Sequence, residues 1–277
     1  MSERLNSAKR WGGYLAMVLI FAAACVLLSN WQFARRAEAL AEIARVEHNY
    51  DAPAVPLATV LPDRTTWAPD DKWKVVRVTG EYLAVDELLV RNRPLDGASG
   101  YEVLTPFRTT EGTVVFLDRG WIGQAGDGPS SYPAPPTGHV TVNARLKPAE
   151  PAVFGRTASG REFATIDLPE MAKRVDGDVY TSAYGIVVHT DGGVPAPLPR
   201  PTEDEGPHLS YAIQWILFAL AGFAGLIWAI RRERKLLAEA RELGLASETV
   251  LRRAVSRTTV GKRRDVDTEA EDAALDD

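Results

Sequence analysis

The sequence predicts a membrane protein in which two transmembrane α-helices flank a mainly antiparallel β domain, barrel- or sandwich-like, with minor helix. Two stretches without a charged residue, 11–29 and 209–230, are the first observation. At about 1.5 Å per residue, each is long enough to cross a hydrocarbon core about 30 Å thick. The second observation is the segment between them, where short runs of alternating apolar and polar residues are separated by turn-forming residues.

Basic residues beside the two stretches predict their orientation, because the cytoplasmic flanks of transmembrane helices are rich in Lys and Arg. Residues 1–10 and 231–277 are therefore predicted to be cytoplasmic, and residues 30–208 extracytoplasmic. The C-terminal segment is basic up to residue 264 and acidic beyond it. We expect this tail to begin as a helix and to be partly disordered. The flanking basic residues are Arg4, Lys9, Arg10, Arg231, Arg232, Arg234 and Lys235.

The first stretch also fits a second interpretation, a cleaved signal sequence with the early basic residues as its n-region. Under this interpretation, Cys25 in "FAAAC" would be a lipid-modified residue. The apolar run continues through "VLLS" without a break at the cleavage position, which favours an uncleaved anchor. Cys25 is then a small packing or lipid-facing residue.

Turn-forming residues divide the predicted extracytoplasmic domain into a helix and short strands. Residues 30–50 are rich in Ala and Glu and predict a helix that continues the first span outward, until prolines end it. A hairpin is predicted over residues 100–122, with Gly112 in its turn. Asp167 is a predicted N-cap of a short helix, and residues 191–207 predict an extended return arm. The other predicted strands are 73–83, 86–93, 139–146, 161–167 and 184–190.

Charge and motif content argue against several function classes. Residues 11–230 carry 25 acidic and 18 basic side chains, which disfavours nucleic-acid binding. The single cysteine excludes a disulfide within the chain, and the three methionines disfavour a soft copper site. The sequence contains no nucleophile elbow, zinc-protease motif or phosphate-binding glycine loop. We therefore predict that the protein is not an enzyme.

Three arginines at predicted strand ends or turns leave two interpretations open. Arg91 and Arg93 lie in "VRNRP", and Arg119 lies in "LDRGW". The favoured interpretation is ion pairs on the surface of a barrel. The alternative is that their guanidinium groups form bidentate hydrogen bonds with the carboxylates of a partner or of a porphyrin.

His208 stands at the threshold of the second apolar stretch. The residues alone favour an interfacial anchor, with two aromatic side chains as members of an aromatic belt. The small residues further along the same face permit close approach of another helix. The alternative is that this face receives a flat apolar ring system whose metal contacts the imidazole. At about 100° per residue, the face is shared by His208, Tyr211, Ala212, Trp215, Ala219 and Gly222.

Three groups of residues, in this order, resemble the surfeit-locus-one family of cytochrome oxidase assembly proteins. The first span is followed by Trp31 and Gln32, with Arg35 three residues after Gln32. The domain contains the Gly-x-Tyr, Asn-Arg, Gly-Tyr, Thr-Pro and Arg-Gly-Trp groups, and the second span opens with His-Leu-x-Tyr-Ala-x-Gln-Trp. Asp118 departs from the Asn that commonly precedes Arg-Gly-Trp. The matching positions are Gly80, Tyr82, Asn92, Arg93, Gly100, Tyr101, Thr105, Pro106, Arg119, Gly120, Trp121, His208, Leu209, Tyr211, Ala212, Gln214 and Trp215.

The resemblance implies an assembly factor for haem–copper cytochrome c oxidase in the plasma membrane of a bacterium. Haem a is the cofactor it implies, bound transiently during delivery to the catalytic subunit, with His208 as the iron ligand and Tyr211 and Trp215 beside the ring. The alternative is a cofactor-free scaffold that binds and stabilises an oxidase subunit. The residues with an implied role in partner binding are Trp31, Gln32, Arg35, Arg93, Arg119 and Trp121.

Overall fold

The structure, a computed structural model, describes residues 2–156, 158–188 and 195–242. The chain divides into two compact units, one formed by Met1–Ala37 with Gly206–Asp277 and the other by Glu38–Glu205. The α-helices are α1 (Ser2–Asn49), α2 (Leu57–Val60), α3 (Leu168–Met171) and α4 (His208–Glu242). Short 3₁₀ helices span Pro69–Asp71, Ala84–Asp86 and Ala172–Arg174.

The first unit pairs α1 with α4 in antiparallel directions. Arg10 Nη2 lies 2.5 Å from Glu233 Oε1 near one end of the pair, and Ser29 Oγ donates a hydrogen bond to the carbonyl of Ala212 (3.0 Å) near the other. Both helices are long and apolar enough to cross a membrane, judged by length and composition. The predicted continuation of the first span as a helix is confirmed, because α1 runs without a break to Asn49.

The small residues of α4 let the two helices approach closely. Ala212 is fully buried. A Cβ placed on Gly222 would lie 3.5 Å from the ring of Phe21 and 3.8 Å from Val18, so α1 passes directly over this glycine. The small residues on the His208 face of α4 were predicted either to pack against another helix or to receive a flat ring system. The structure shows that they pack against a helix.

The second unit contains one ten-stranded sheet. Its strands are β1 (Val55–Pro56), β2 (Val75–Tyr82), β3 (Leu88–Arg91), β4 (Gly100–Thr109), β5 (Thr113–Ala125), β6 (Gly128–Pro129), β7 (Val140–Pro148), β8 (Glu162–Phe163), β9 (Asp178–Val179) and β10 (Ala183–Val187). The hydrogen-bonded order of these strands is β1-β2-β7-β10-β5-β4-β3-β8. In addition, β6 and β9 pair with β5, and β2 pairs with β4.

The sheet is mixed, which corrects the predicted antiparallel barrel or sandwich. The long ladders are antiparallel, as in the β4–β5 hairpin, whose turn places Gly112 at φ 86° as predicted. Four pairings are parallel: β1 with β2, β3 with β8, β5 with β9 and β5 with β10. Alternation of apolar residues identifies strands but does not encode their direction, so sequence reasoning favoured the commoner antiparallel arrangement.

Large apolar side chains of the sheet and of α3 fill the domain core. Phe107 and Phe116 from the hairpin are fully buried. A Cβ on Gly80 would lie 2.0 Å from the carbonyl oxygen of Arg108, so glycine is required where β2 pairs with β4. The predicted N-cap of α3 is confirmed, because Asp167 Oδ1 accepts a hydrogen bond from the backbone N–H of Glu170 (3.2 Å).

The C-terminal end of α1 belongs to the second unit and packs beside Trp73. Asn49 Nδ2 donates to the carbonyls of Asp70 (3.0 Å) and Lys72 (2.8 Å). The indole N–H of Trp73 donates to Glu42 Oε1 (2.9 Å). Burial raises the pKa of the Glu42 carboxyl, but hydrogen bonds from Lys72 and Trp73 outweigh burial and lower that pKa below its usual value. These contacts hold Trp73 at φ 71°, which is strained for a bulky residue.

Candidate functional site

The two sequence groups at the predicted membrane borders meet at one place in the first unit. His208 is the first residue of α4, and its half-buried ring lies against α1. His208 Nδ1 and Gln32 Oε1 are 2.8 Å apart, which is a good hydrogen-bond distance. Gly206, at φ 68°, turns the chain into α4 just before this contact. Sequence reasoning identified both residues but did not predict that they touch.

The aromatic residues of the predicted cofactor group lie on α4 beyond His208. Tyr211 is 47% exposed. Trp215 is half-buried and makes an edge-to-face contact with Phe218, with 5.8 Å between ring centroids. His208, Tyr211 and Trp215 therefore lie within about two turns of α4, and their role in binding a cofactor stays a prediction.

Trp31 and Arg35 lie on α1 beside Gln32 but make a different contact. Trp31 is 53% exposed, and the guanidinium carbon of Arg35 lies 5.8 Å from its ring centroid. An arginine over an indole face is a cation–π pair, which is common where an aromatic side chain meets a polar boundary. Gln32 thus faces the partner helix, whereas Trp31 offers an exposed surface.

Arg119 lies inside the second unit, in a buried polar cluster centred on Glu87. Its Nη1 donates to Glu87 Oε2 and its Nη2 to the carbonyl of Pro133, both at 2.8 Å. Thr105 Oγ1 donates to the same carboxylate oxygen (2.5 Å), and Tyr132 OH to the other (3.0 Å). Burial and the neighbouring carboxylate raise the pKa of Tyr132 to about 12. The predicted ion pair of Arg119 is present, but it is buried inside the domain and does not lie on the surface of a barrel.

Arg93 and Trp121 lie together at a cavity of about 290 Å³ in the same unit. Arg93 Nη2 donates to Glu150 Oε2 (2.5 Å), and its Nε lies 3.2 Å from Glu102 Oε2. The indole N–H of Trp121 donates to the backbone carbonyl of Arg93 (2.7 Å). Both carboxylates bind the guanidinium from within the domain. The predicted partner role of Arg93, Arg119 and Trp121 stays a prediction.

The surroundings of Asp118 explain why this chain can have an aspartate where an asparagine is expected before Arg-Gly-Trp. Asp118 is fully buried, and its Oδ1 accepts a hydrogen bond from the N–H of Gly120 (2.9 Å). Burial raises the pKa of Asp118 well above its usual value, and the nearby Glu102 carboxyl raises it further. A protonated carboxyl is neutral and close to an amide in shape, so Asp118 can occupy an asparagine position.

The backbone explains the glycine of the Arg-Gly-Trp group. Gly120 adopts φ 123°, and a Cβ there would lie 2.3 Å from the carbonyl oxygen of Ala196. Trp121 and Ala196 exchange two backbone hydrogen bonds of 2.8 and 2.7 Å. The glycine therefore lets the arm around Ala196 add to the edge of β5.

The remaining histidines lie elsewhere or outside the described residues. His48 and His139 are exposed, and His189 falls among residues that the structure does not describe. Among the described residues, no group of three or more His, Cys, Asp or Glu side chains is arranged to hold a metal ion. A metal carried in a macrocycle needs only an axial ligand from the protein, so His208 remains the predicted ligand.

Two antiparallel apolar helices are in contact through His208 and Gln32. Along the chain, they precede and follow a mixed-sheet domain. These features define a class of proteins with two apolar helices and one mixed-sheet domain. The chain belongs to the SURF1 family, whose model matches residues 19–220. It is 34% identical over 238 residues to an uncharacterised SURF1-like protein of Mycobacterium tuberculosis, covering 80% of this chain and 88% of that relative. A SURF1-like protein of Rickettsia felis is 25% identical over 224 residues, covering 78% and 95%.

A more distant similarity extends to a eukaryote. The cytochrome oxidase assembly protein SHY1 of Saccharomyces cerevisiae is 30% identical over 127 residues, which cover 44% of this chain and 32% of the yeast protein. The resemblance seen in the three sequence groups is thus confirmed as family membership.

Proposed function

We propose that this protein assists the assembly of a haem–copper cytochrome c oxidase in the plasma membrane of a bacterium. Family membership carries the proposal, and the name of the yeast relative supports it. The proposed role is non-enzymatic: the protein binds oxidase subunits, the catalytic subunit first among them, while the oxidase is incomplete.

Both helices are proposed to span the membrane, with the mixed-sheet domain on the extracytoplasmic side. Cation–π pairs support two boundary levels: Arg10 with Trp11 and Arg232 with Trp228 at one, and Arg35 with Trp31 at the other. Along α1, the 20 residue-to-residue steps from Trp11 to Trp31 correspond to about 30 Å, the thickness of a hydrocarbon core. Amphipathic aromatic and cationic side chains favour these two levels.

The finer proposal is that the protein receives haem a at His208. The donor set fits this group, because a single half-buried imidazole held through Nδ1 can offer its other nitrogen to an iron atom. Haem a would supply the iron and the macrocycle. His208 would bind the iron, and Tyr211 and Trp215 would offer apolar ring surfaces.

A second candidate, a cofactor-free scaffold, is favoured by the packing of the small residues. Ala212 is fully buried, and Gly222 lies under Phe21 of α1. A flat apolar ring system on this face, the alternative predicted from the sequence, needs space there, but α1 packs against the face at Gly222. A scaffold needs no such space, since it acts through its exposed surfaces.

One experiment tests the role and separates the two candidates. A strain lacking the gene is complemented with the wild type, with His208→Ala, or with the control His139→Ala, which changes an exposed histidine of the domain. We expect the deletion to lower haem a-containing oxidase, measured by difference spectra of membranes, without changing its transcription. The wild type and His139→Ala should restore it, and His208→Ala should not.

The proteins purified from haem a-producing cells give the second readout. The haem a role predicts an absorbance spectrum of bound haem a in the wild type that is lost in His208→Ala. The scaffold role predicts no haem a in either protein and full restoration by His208→Ala. Normal oxidase in the uncomplemented deletion strain would overturn the assembly role altogether.

A further inference from the structure

The contact between Gln32 and His208 fixes more than the position of the ring. A neutral imidazole carries one proton, on Nδ1 or on Nε2, and the hydrogen bond at one nitrogen decides which. Gln32 presents its carbonyl oxygen, Oε1, to Nδ1 at 2.8 Å. An oxygen can only accept a hydrogen bond, so this contact is a hydrogen bond when Nδ1 carries the proton and Nε2 keeps its lone pair.

The surroundings hold this arrangement in place. The buried hydrogen bond from Ser29 to the carbonyl of Ala212 lies one helical turn from the contact on both helices. It fixes the register of α1 against α4, so that Gln32 and His208 stay opposite each other. Both residues are half-buried, which limits competition from water for the hydrogen bond.

The opposite edge of the ring lies beside a residue without a side chain. A Cβ placed on Gly206 would be 3.4 Å from both Cδ2 and Nε2 of His208, at the short limit of ordinary van der Waals contact. One edge of the imidazole is held by Gln32, and residue 206 adds no side chain at the other edge.

We propose that Gln32 is a positioning residue, which holds the Nδ1 proton of His208 so that Nε2 presents its lone pair as the iron-binding atom. This inference rests on the proposed haem a role for the identity of the ligand, but the proton position is independent of it. Partners at the second nitrogen of a metal-binding histidine orient the ring and raise its basicity, and their loss costs about 10–100-fold in metal affinity.

The first measurement needs no haem. The full chain is labelled with ¹⁵N-histidine, purified in detergent and studied by NMR at a pH where the ring is neutral, with His208 assigned by its loss in His208→Ala. We expect protonated Nδ1 and unprotonated Nε2 in the wild type and in Gln32→Glu, which keeps an acceptor. Gln32→Leu should shift the proton toward Nε2, the tautomer that an isolated imidazole prefers. Gln214→Leu, on an exposed position of α4, is the matched control and should match the wild type.

The second measurement adds ferric haem a to the same proteins. Gln32→Leu should bind about 10–100-fold more weakly than the wild type. Gln32→Glu should keep binding and lower the reduction potential of the iron, because a carboxylate makes the imidazole more electron-rich. Gln32→Glu also guards against misfolding of the leucine variant.

The outcomes separate this inference from the proposed function. A proton on Nε2 in the wild type, or a proton position that Gln32→Leu leaves unchanged, overturns the positioning role. The expected tautomers without any uptake of haem a by the wild type support the positioning role and overturn the haem a role. Equal haem affinity of Gln32→Leu and the wild type removes Gln32 from the binding of haem.

Discussion

The helix pair and the mixed-sheet domain bury polar atoms in opposite ways. In the domain, Arg119 is enclosed with Glu87, and Arg93 with Glu150, so that guanidinium and carboxylate groups satisfy each other. In the helix pair, the buried polar contact is a hydroxyl on a carbonyl, between Ser29 and Ala212. The comparison teaches that ion pairs satisfy buried polar groups in the domain, whereas a neutral hydrogen bond does so in the helix pair.

The largest expected effect removes the central cation of the domain. Arg119→Met leaves the Glu87 carboxylate buried without its partner, which costs about 3–5 kcal/mol in the free energy of unfolding. Urea denaturation of the full chain in detergent measures this loss. Arg77→Met changes an exposed arginine and should alter stability by at most about 0.5 kcal/mol. Equal effects of the two substitutions would mean that charge does not stabilise the domain in this way.

A smaller effect is expected at Gly222, where α1 and α4 are in apolar contact. Gly222→Leu places a side chain against Phe21 and should destabilise the helix pair by about 1–3 kcal/mol through overpacking. Gly225→Leu is the control, because a Cβ at Gly225 meets nothing within 4 Å. Titration of the full chain with SDS, followed by circular dichroism, compares the two variants. If Gly225→Leu is as disruptive as Gly222→Leu, the helices do not pack through Gly222.

The smallest effect sharpens the comparison by removing a buried ionisable group. The pKa of Asp118 is raised in the folded state above 3.8, so its contribution to stability is complete below pH 3.8 and is lost as pH rises through the folded pKa. Asp118→Asn cannot ionise. The variant should therefore gain stability relative to the wild type as the pH rises above 3.8. Urea denaturation at each pH measures the difference.

The exposed Asp127 supplies the control for this experiment. Asp127→Asn should follow the wild type at every pH, because the side chain lies in an exposed turn. A constant difference between Asp118→Asn and the wild type as the pH rises would show that Asp118 has the same protonation in the folded and unfolded states, so that folding does not raise its pKa.

Local signals in the sequence predicted much of the fold correctly. The turn at Gly112 and the cap at Asp167 depend on neighbouring residues, and both occur as expected. The helical continuation of α1 follows from residues that favour helix and from the absence of proline before residue 53. The parallel strands β1 and β9 were missed because two residues are too few to show periodicity, whereas β8 lies within the predicted strand 161–167.

The candidate site was predicted in its residues but not in its contacts. Gln32 and His208 were identified through sequence groups, yet they lie 176 positions apart, and no local pattern pairs them. Gln32 was assigned to partner binding, whereas the structure places it against His208. Glu87 gave no signal, because a single glutamate before a strand is ordinary until Arg119, Thr105 and Tyr132 converge on it.

The separation of Gln32 and His208 along the chain also has a consequence in time. During synthesis, Gln32 leaves the ribosome 176 residues before His208. At about 5–20 residues per second, this interval lasts roughly 10 to 35 seconds. A nascent chain therefore carries a complete first helix, in which Gln32 still lacks its contact with His208, while the whole domain is made. The imidazole meets its glutamine only after translation has passed the domain, so a chain that stops early never forms the contact.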